Sequence, residues 1–399
     1  MKKILIFTIL LLITPALVSA KIDAIKKRCA PLTGISGQQI TVSNVTELED
    51  AVSQINQIGR DATVLLEDGI YNLNSQLYIT ADNVIFRSVS GERNNVVIQG
   101  DGMTGNVSHV FSVAGDHVTI ADITIGEIAN HAIQVHGESS INADDLFVHN
   151  VHFFNTGEQM LKGSSDYITG SDHGSVECSL FEYTSDFGPQ YYIGGIDVHL
   201  GESWIVRDNT FKNIRSPENG YLAEHAVHFW SESKNTKVLR NKIVNCDRGI
   251  GFGLGKRGHQ GGLISNNMIF NNGQGLNDDV GISLENVSNA KVYNNTIFFQ
   301  GDYVNAIEYR FTSTSGVRIH NNLTNKLISS RDGGSGTIGR NFVSAKKDWF
   351  KKPVKGNLHL NRKIKKVVRK GKKLKAVKRD YDGEKRPTTN RPDIGADEI

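Results

Sequence analysis

The side chains with chemistry to offer fall into two columns when short stretches of the sequence are set one above another. Gln134, Lys162, Asp197, His228, Gly251, Ser283, Glu308 and Ser329 share one position, and His136, Ser164, His199, Trp230, Gly253, Glu285, Arg310 and Arg331 share the position two residues later. The interleaved positions are largely apolar, beginning with Ile133 and Val135 and continuing through Ile196 and Val198, Val227 and Phe229, and Ile282 and Leu284. Alternate residues of a strand share a face, so the apolar positions turn inward and the polar columns outward. Strands stack about 4.8 Å apart. Lys162, Asp197, His199, His228 and Trp230 should therefore form one patch three strands tall. An ordinary solvated strand face is polar too, and the columns alone leave that reading open.

The sharper reading is proton transfer. Removing the proton beside a uronate carboxylate needs a charge to neutralise that carboxylate, a base, and a proton for the leaving oxygen. Lys162 fits the base if cations or desolvation lower its pKa. His199 or His228 fits the acid or a second base. Asp197 would hold a calcium ion or orient a histidine, and Arg310 or Arg257 would grip carboxylates. Loops add Lys256, Arg257 and His259 after the Gly251 strand, Tyr191 and Tyr192 before Gly195, and Glu224 with His225 before Val227. Trp230 and Tyr192 offer stacking surface for a sugar ring, above a floor that Gly251 and Gly253 leave bare.

The elements that must position these groups repeat. An apolar residue, two residues, Asn, one residue and a second apolar residue recur at Val206–Asn209–Phe211, Val238–Asn241–Ile243, Ile264–Asn267–Ile269 and Val292–Asn295–Ile297, and again at Ile319–Asn322. Asn150 matches with one extra residue, and Asp122 and Ser179 fall at the same place in two further copies. A period of roughly 26–32 residues with strand alternation is the mark of a solenoid coil. The fold class expected is all-β: a single-stranded right-handed parallel β-helix with a short N-terminal capping helix. The asparagines should stack at one turn of each coil as a ladder.

The domain plan has four parts. Residues 1–20, with Lys2 and Lys3, an apolar run and Ser19-Ala20, read as a cleaved signal peptide. Residues 21–60 form an N-terminal segment whose Thr46 N-caps a helix through Val52. Residues 61–345 are the β-helix, and 346–399 are a basic C-terminal end-cap segment. From Lys346 to Arg379 there are 16 basic residues against the single acidic Asp348, so this window carries +15 and the rest −12 of the formal +3. That strip is either a cationic contact for an anionic polymer or a solvated cap.

Composition removes other classes. With 399 residues, 38% hydrophobic and 22% charged, the chain is neither disordered nor collagenous. Its three cysteines are too few for a disulfide scaffold, and Cys178 and Cys246 lie in different coils at unmatched positions. It has no phosphate-loop motif, no H-E-x-x-H and no paired C-x-x-C. The run Gly249-Ile250-Gly251-Phe252-Gly253 precedes no helix and is no dinucleotide fingerprint.

The coil pattern, Asp68-Gly69-Ile70-Tyr71 and the terminal Asp382-Gly383, Arg386-Pro387 and Asp393-Ile394-Gly395-Ala396 resemble secreted right-handed β-helix proteins of the pectate-lyase-like superfamily, over almost the whole mature chain. Gly157-Glu158 with Leu161-Lys162-Gly163-Ser164-Ser165 resembles, over about one coil, the segment of chondroitinase B and related alginate lyases that carries their lysine base. That resemblance implies Lys162 as base and Glu158 near a metal. The chain departs from it one coil later, where Asp197 and His199 stand in place of an arginine acid, and in the calcium-binding set. The expectation is a secreted or periplasmic polysaccharide lyase cleaving an anionic, uronic-acid-containing polysaccharide by β-elimination. A uronate C5-epimerase, a glycoside hydrolase and a non-catalytic polysaccharide-binding solenoid stay as alternatives. The partner expected is an anionic polysaccharide, with no nucleic acid and no integral membrane association, and the chain a monomer. Its catalytic residues would be Lys162, His199, His228 and Arg310. Trp230, Tyr192, Arg257, His259 and Lys256 would bind substrate, and Asp197 and Glu158 would bind Ca2+.

Overall fold

A computed structural model describes residues 29–399; the apolar segment 1–20 lies outside the described residues. Three long parallel sheets of 12, 10 and 10 strands are built from residues 38–339, each coil contributing a strand to each wall. This is the right-handed parallel β-helix that the repeat spacing and the alternating strands call for. The wall that carries both polar columns begins at Leu77–Ile79 and His109–Val113 and continues through Gln159–Gly163, Gly194–His199 and His225–Trp230 to Leu327–Arg331. Inside, the apolar columns stack into one core in which the rings of Phe153, Phe181 and Phe211 lie parallel at 4.2 and 4.6 Å.

The first coil is covered by a helix, α1 (Val45–Ile58). Its buried residues Leu48, Ala51, Val52 and Ile55 recur at helical spacing and lie against the opening strands. The N-cap is Asn44, two residues before the expected Thr46: its side chain accepts the Glu47 N–H, while the Glu47 carboxylate accepts the Ser43 N–H at 2.7 Å. This reciprocal pairing satisfies donors that the helix start leaves open. Gly59 closes the helix at φ 82°, a left-handed conformation that costs glycine little.

The asparagine ladder forms, with one correction. Asn209, Asn241, Asn267, Asn295 and Asn322 stack directly, each Oδ1 accepting from the backbone N–H of its predecessor in the stack. Ser179 belongs to the same column, but Asp122 and Asn150 sit one residue earlier, at the left-handed corner with φ of 55° and 53°. Both corner positions suit Asn, Asp and Ser, so composition alone did not separate them.

Cys29 is joined to Cys178, while Cys246 is free and buried. The segment it anchors straps across the corner, with Leu32 N–H donating to Asp122 Oδ2 at 2.9 Å and the Ala30 carbonyl 2.8 Å from His149 Nε2. The repeat pattern could not foretell this bridge, because Cys29 precedes every coil. Cross-linking residues 149 apart removes unfolded-chain entropy, a stabilisation that typically reaches about 2–4 kcal/mol. Reduction, or Cys29→Ser with Cys178→Ser, is expected to lower the thermal midpoint by several degrees; equal midpoints for oxidised and reduced protein would refute this.

Residues 346–399 run along the flank of the last coils. Trp349, Phe350, Leu358, Leu360 and Ile394 pack on Val244, Met268, Phe270 and Phe298, which project outward from the neighbouring wall. Asn266, Asn294 and Asn321 donate to carbonyls of this segment. Its lysines and arginines stay at the surface except Arg386, which is buried against Glu398, and Lys373, Lys375, Lys378, Arg379 and Lys385 border an open cleft.

Candidate functional site

Backbone register sets the site. Lys162 pairs with Asp197 and Asp197 with His228, while His199 pairs with Trp230, so five polar or aromatic side chains of four chemical types come from three adjacent strands. They do meet. Asp197 is the hub: Lys162 Nζ donates to its Oδ2, Trp230 Nε1–H to its Oδ1 at 2.7 Å, and His228 Nδ1 and His199 Nε2 stand 3.4 and 3.5 Å from its oxygens. His199 Nε2 lies 3.0 Å from Lys162 Nζ. The patch faces outward but is well covered: Lys162 is 8% exposed, Asp197 3% and His228 1%.

That environment fixes the charges. Burial works against the Asp197 carboxylate, yet Lys162 and the two imidazoles overcome it and hold Asp197 well below the usual aspartate range. Burial likewise works against the Lys162 ammonium, but Asp197 more than offsets it, and the lysine pKa ends above its ordinary value. Beside this buried carboxylate Lys162 is held toward the cation, whereas the role of base expected for it needs a lowered pKa.

The other expected residues scatter. Arg257 stands at the rim, its guanidinium 5.0 Å from the Trp230 ring and 5.1 Å from that of Tyr167. His228 also stacks parallel to Trp230 at 5.4 Å and the His199 ring meets it edge-on at 4.3 Å, so with Arg257 this indole carries three partners and orients the site more than it offers an open platform. Tyr192 is 41% exposed and close enough for its phenol to bear on the Lys162 charge. Three expectations are corrected. Arg310 lies five strands from Lys162, about 24 Å at the sheet spacing, and is held by Glu285 at 3.1 Å and Asp332 at 2.9 Å. His259 is buried, stacked on Phe252 at 3.9 Å and within 3.0 Å of Thr236 Oγ1, because residues 233–234, 259–260 and 287–288 form an extra small sheet. Lys256 tips outward from a turn toward Phe311 and Ser313, away from the hub.

The expected calcium pair also fails. Both Asp197 oxygens are engaged by nitrogen donors, and Glu158 stands instead 3.4 Å from His131 Nε2. Calcium takes six to eight oxygen ligands, and this pair does not supply them. Among the described residues the donors that converge near the hub are Glu224, His225 and His228, whose ligating atoms lie within 4.8 Å of one another. The outward columns missed Glu224 and His225, which come just before the strand pairing begins in earnest; the rings of His225 and His228 are 4.5 Å apart. Ala226 and Val227 are both buried in the core, so alternation slips by one residue and carries His225 to the outer side. The signal available was the cluster Glu224-His225 directly ahead of His228.

No family model matches the chain, and no curated protein matches it. Among solved structures, pectate lyase Pel9A superposes with a TM-score of 0.60 at 15% identity, covering 92% of this chain and 98% of that one. An alginate lyase from Paenibacillus sp. str. FPU-7 matches with a TM-score of 0.44 at 14% identity, over 76% of this chain and 99% of that one. The Azotobacter vinelandii mannuronan C-5 epimerase AlgE6 A-module gives 0.45 at 11%, over 80% and 99%. The chain therefore shares the parallel β-helix fold of pectate lyase Pel9A over 92% of its length.

Proposed function

We propose that the chain is a secreted enzyme acting on an anionic, uronate-containing polysaccharide, and that it cleaves by β-elimination at the wall carrying Lys162, Asp197 and His199. The observation that carries this reading is the contact between a buried lysine cation and the more exposed His199 imidazole, 3.0 Å apart on an outward wall, with Arg257 at the rim. A uronate carboxylate arriving there competes for the Lys162 ammonium. Neutralising it acidifies the adjacent C–H, and the lysine's turn toward substrate frees His199 Nε2 to take that proton. The electron pair forms the new double bond, the C–O bond breaks, and the imidazolium returns its proton to the leaving oxygen. Asp197 keeps Lys162 charged throughout. Its depressed pKa makes it unfit as a general acid, which argues against a hydrolase. Superposition on a pectate lyase over 92% of the chain supports the scaffold.

The test is direct. Incubating the mature protein with alginate, polygalacturonate, glucuronan and chondroitin is expected to give ultraviolet-absorbing unsaturated ends from one of them. His199→Ala should slow this by about 10²–10⁴-fold while polymer binding persists. Absence of unsaturated product together with unchanged polymer NMR spectra on all four would overturn the reading. A changed spectrum without absorbance would make the chain an epimerase.

A further inference from the structure

Three side-chain atoms able to hold a cation converge beside the hub, within 4.8 Å of one another. Glu224 Oε2, His225 Nδ1 and His228 Nδ1 are each buried and lack a hydrogen-bond partner. The residues His225 and His228 are 3% and 1% exposed. His228 Nε2 lies 3.2 Å from the Gly253 carbonyl, which can only accept, so Nε2 donates there and Nδ1 is the ring nitrogen left for another partner. That Nδ1 stands 3.6 Å from Glu224 Oε2 and 3.4 Å from Asp197 Oδ1. His225 Nδ1 is 3.9 Å from the same Glu224 oxygen, and its Nε2 is 2.9 Å from Ser283 Oγ. Buried polar atoms left without hydrogen-bond partners are costly unless a cation or a proton satisfies them. Arg248 stands 3.8 Å from Glu224 Oε2, but Asp279 draws it off at 3.3 Å.

The structure assigns to Glu224, His225 and His228 a site for a divalent transition metal of the zinc or cobalt kind. Two imidazoles and one carboxylate are a donor set for such ions, while calcium prefers oxygen alone. Bonds of about 2.0–2.1 Å to three corners of a tetrahedron separate the ligands by roughly 3.4 Å, so small side-chain adjustments close the site. The outer contacts have the form that metal-binding histidines need: the far nitrogen of each ring is held, at Gly253 O and Ser283 Oγ. Space has been left for it as well. A Cβ on Gly251 would come within 2.7 Å of the His225 ring, so glycine there lets His225 lean across its neighbouring strand to reach Ser283. This assignment goes beyond the polysaccharide reading and stands without it.

The experiment is titration of untagged, metal-stripped mature protein with Co2+, Zn2+ and Ca2+ by calorimetry, and with Co2+ by visible absorption. One Co2+ or Zn2+ per chain is expected, with cobalt d–d bands shaped by nitrogen ligands and no comparable Ca2+ binding. His225→Gln and Gly251→Ala should each weaken Co2+ binding at least 10-fold, Ser283→Ala by about 10–100-fold, and His359→Gln, in the distant His359–Asp382–Asp397 group, should not weaken it. Circular dichroism of each stripped variant verifies folding; should His225→Gln unfold, Ser283→Ala decides alone. Absence of Co2+ and Zn2+ binding, preference for Ca2+, or binding that survives the site variants and fails in His359→Gln overturns the assignment. Because the readout is metal bound, it can fail without touching the lyase reading, which is judged by product.

Discussion

Replacing Asp197 by alanine is expected to destabilise the protein by about 3–5 kcal/mol, the usual result of stripping one partner from a buried ion pair, and to abolish turnover. The carboxylate is the shared acceptor for Lys162 Nζ and Trp230 Nε1–H and stands near two imidazoles. Its loss leaves the Lys162 ammonium charged, nine-tenths covered and without a counter-ion, so the lysine either deprotonates or the strand ends part. Asp197→Asn keeps the shape and one acceptor oxygen, and should fold better than the alanine variant while remaining inactive, because neutral Asn does not hold Lys162 protonated. The pH dependence has two edges. Asp197 has a depressed folded pKa, so its contribution is complete above the unfolded value of about 3.9, declines as pH falls below that, and is gone only in stronger acid. Lys162 has a raised folded pKa, so its contribution is complete below about 10.4 and declines as pH rises beyond it through the folded value. Denaturant midpoints for wild type and Asp197→Ala should therefore differ clearly at neutral pH and converge in strong acid, and where the variant folds with Lys162 unprotonated the gap narrows as pH rises toward about 10.4. A difference under about 1 kcal/mol at pH 7 would mean that the cluster is a solvated surface pair.

The wall itself was legible because two periods, the coil length and the strand alternation of two, act together on every residue in it. Once Ile196 and Val227 are taken as core neighbours, Asp197 and His228 have no freedom to be anything but outward neighbours, and the register agrees pair for pair. What lies outside that arithmetic was not legible. The charge of Lys162 depends on how closely Asp197 approaches, which spacing does not give. His259 was read as a loop residue because the small sheet it joins, of two-residue strands, is too short to show alternation. The slip at Ala226 shifts His225 across the wall without leaving a mark in composition, and Cys29 finds Cys178 from outside the repeat altogether. Arg310 is a different case. Its column was right, but counting strands already placed it far from Lys162, and the carboxylates of Glu285 and Asp332 show what it is there to hold.

Replacing Asn267 by alanine is expected to cost on the order of 3–5 kcal/mol, far more than an exposed asparagine would. Its Oδ1 accepts from the backbone N–H and the Nδ2 of Asn241 at 2.9 and 3.1 Å, and its own Nδ2 donates to Val238 O and to Asn295 Oδ1, each at 2.9 Å. Alanine leaves the Asn241 N–H and the Val238 carbonyl buried without these partners, and each such group costs about 1–3 kcal/mol. Water cannot repair the loss, since Asn241, Asn267 and Asn295 are fully buried. The ladder ends at Asn341, which is only partly buried and donates to the Ile319 carbonyl from the last rung. Asn341→Ala opens a rung that solvent reaches, so it should cost no more than about 1–1.5 kcal/mol, the net worth of an ordinary hydrogen bond. The contrast between the two variants isolates burial, because residue type, corner geometry and partner chemistry are shared. In a stack where each coil touches only its neighbours, a broken middle rung also uncouples the coils on either side. Hydrogen exchange should then quicken around Asn241 and Asn295 in Asn267→Ala and stay unchanged there in Asn341→Ala. Equal midpoints for the two variants would mean that the corner is held by its backbone alone, with the amide column contributing nothing.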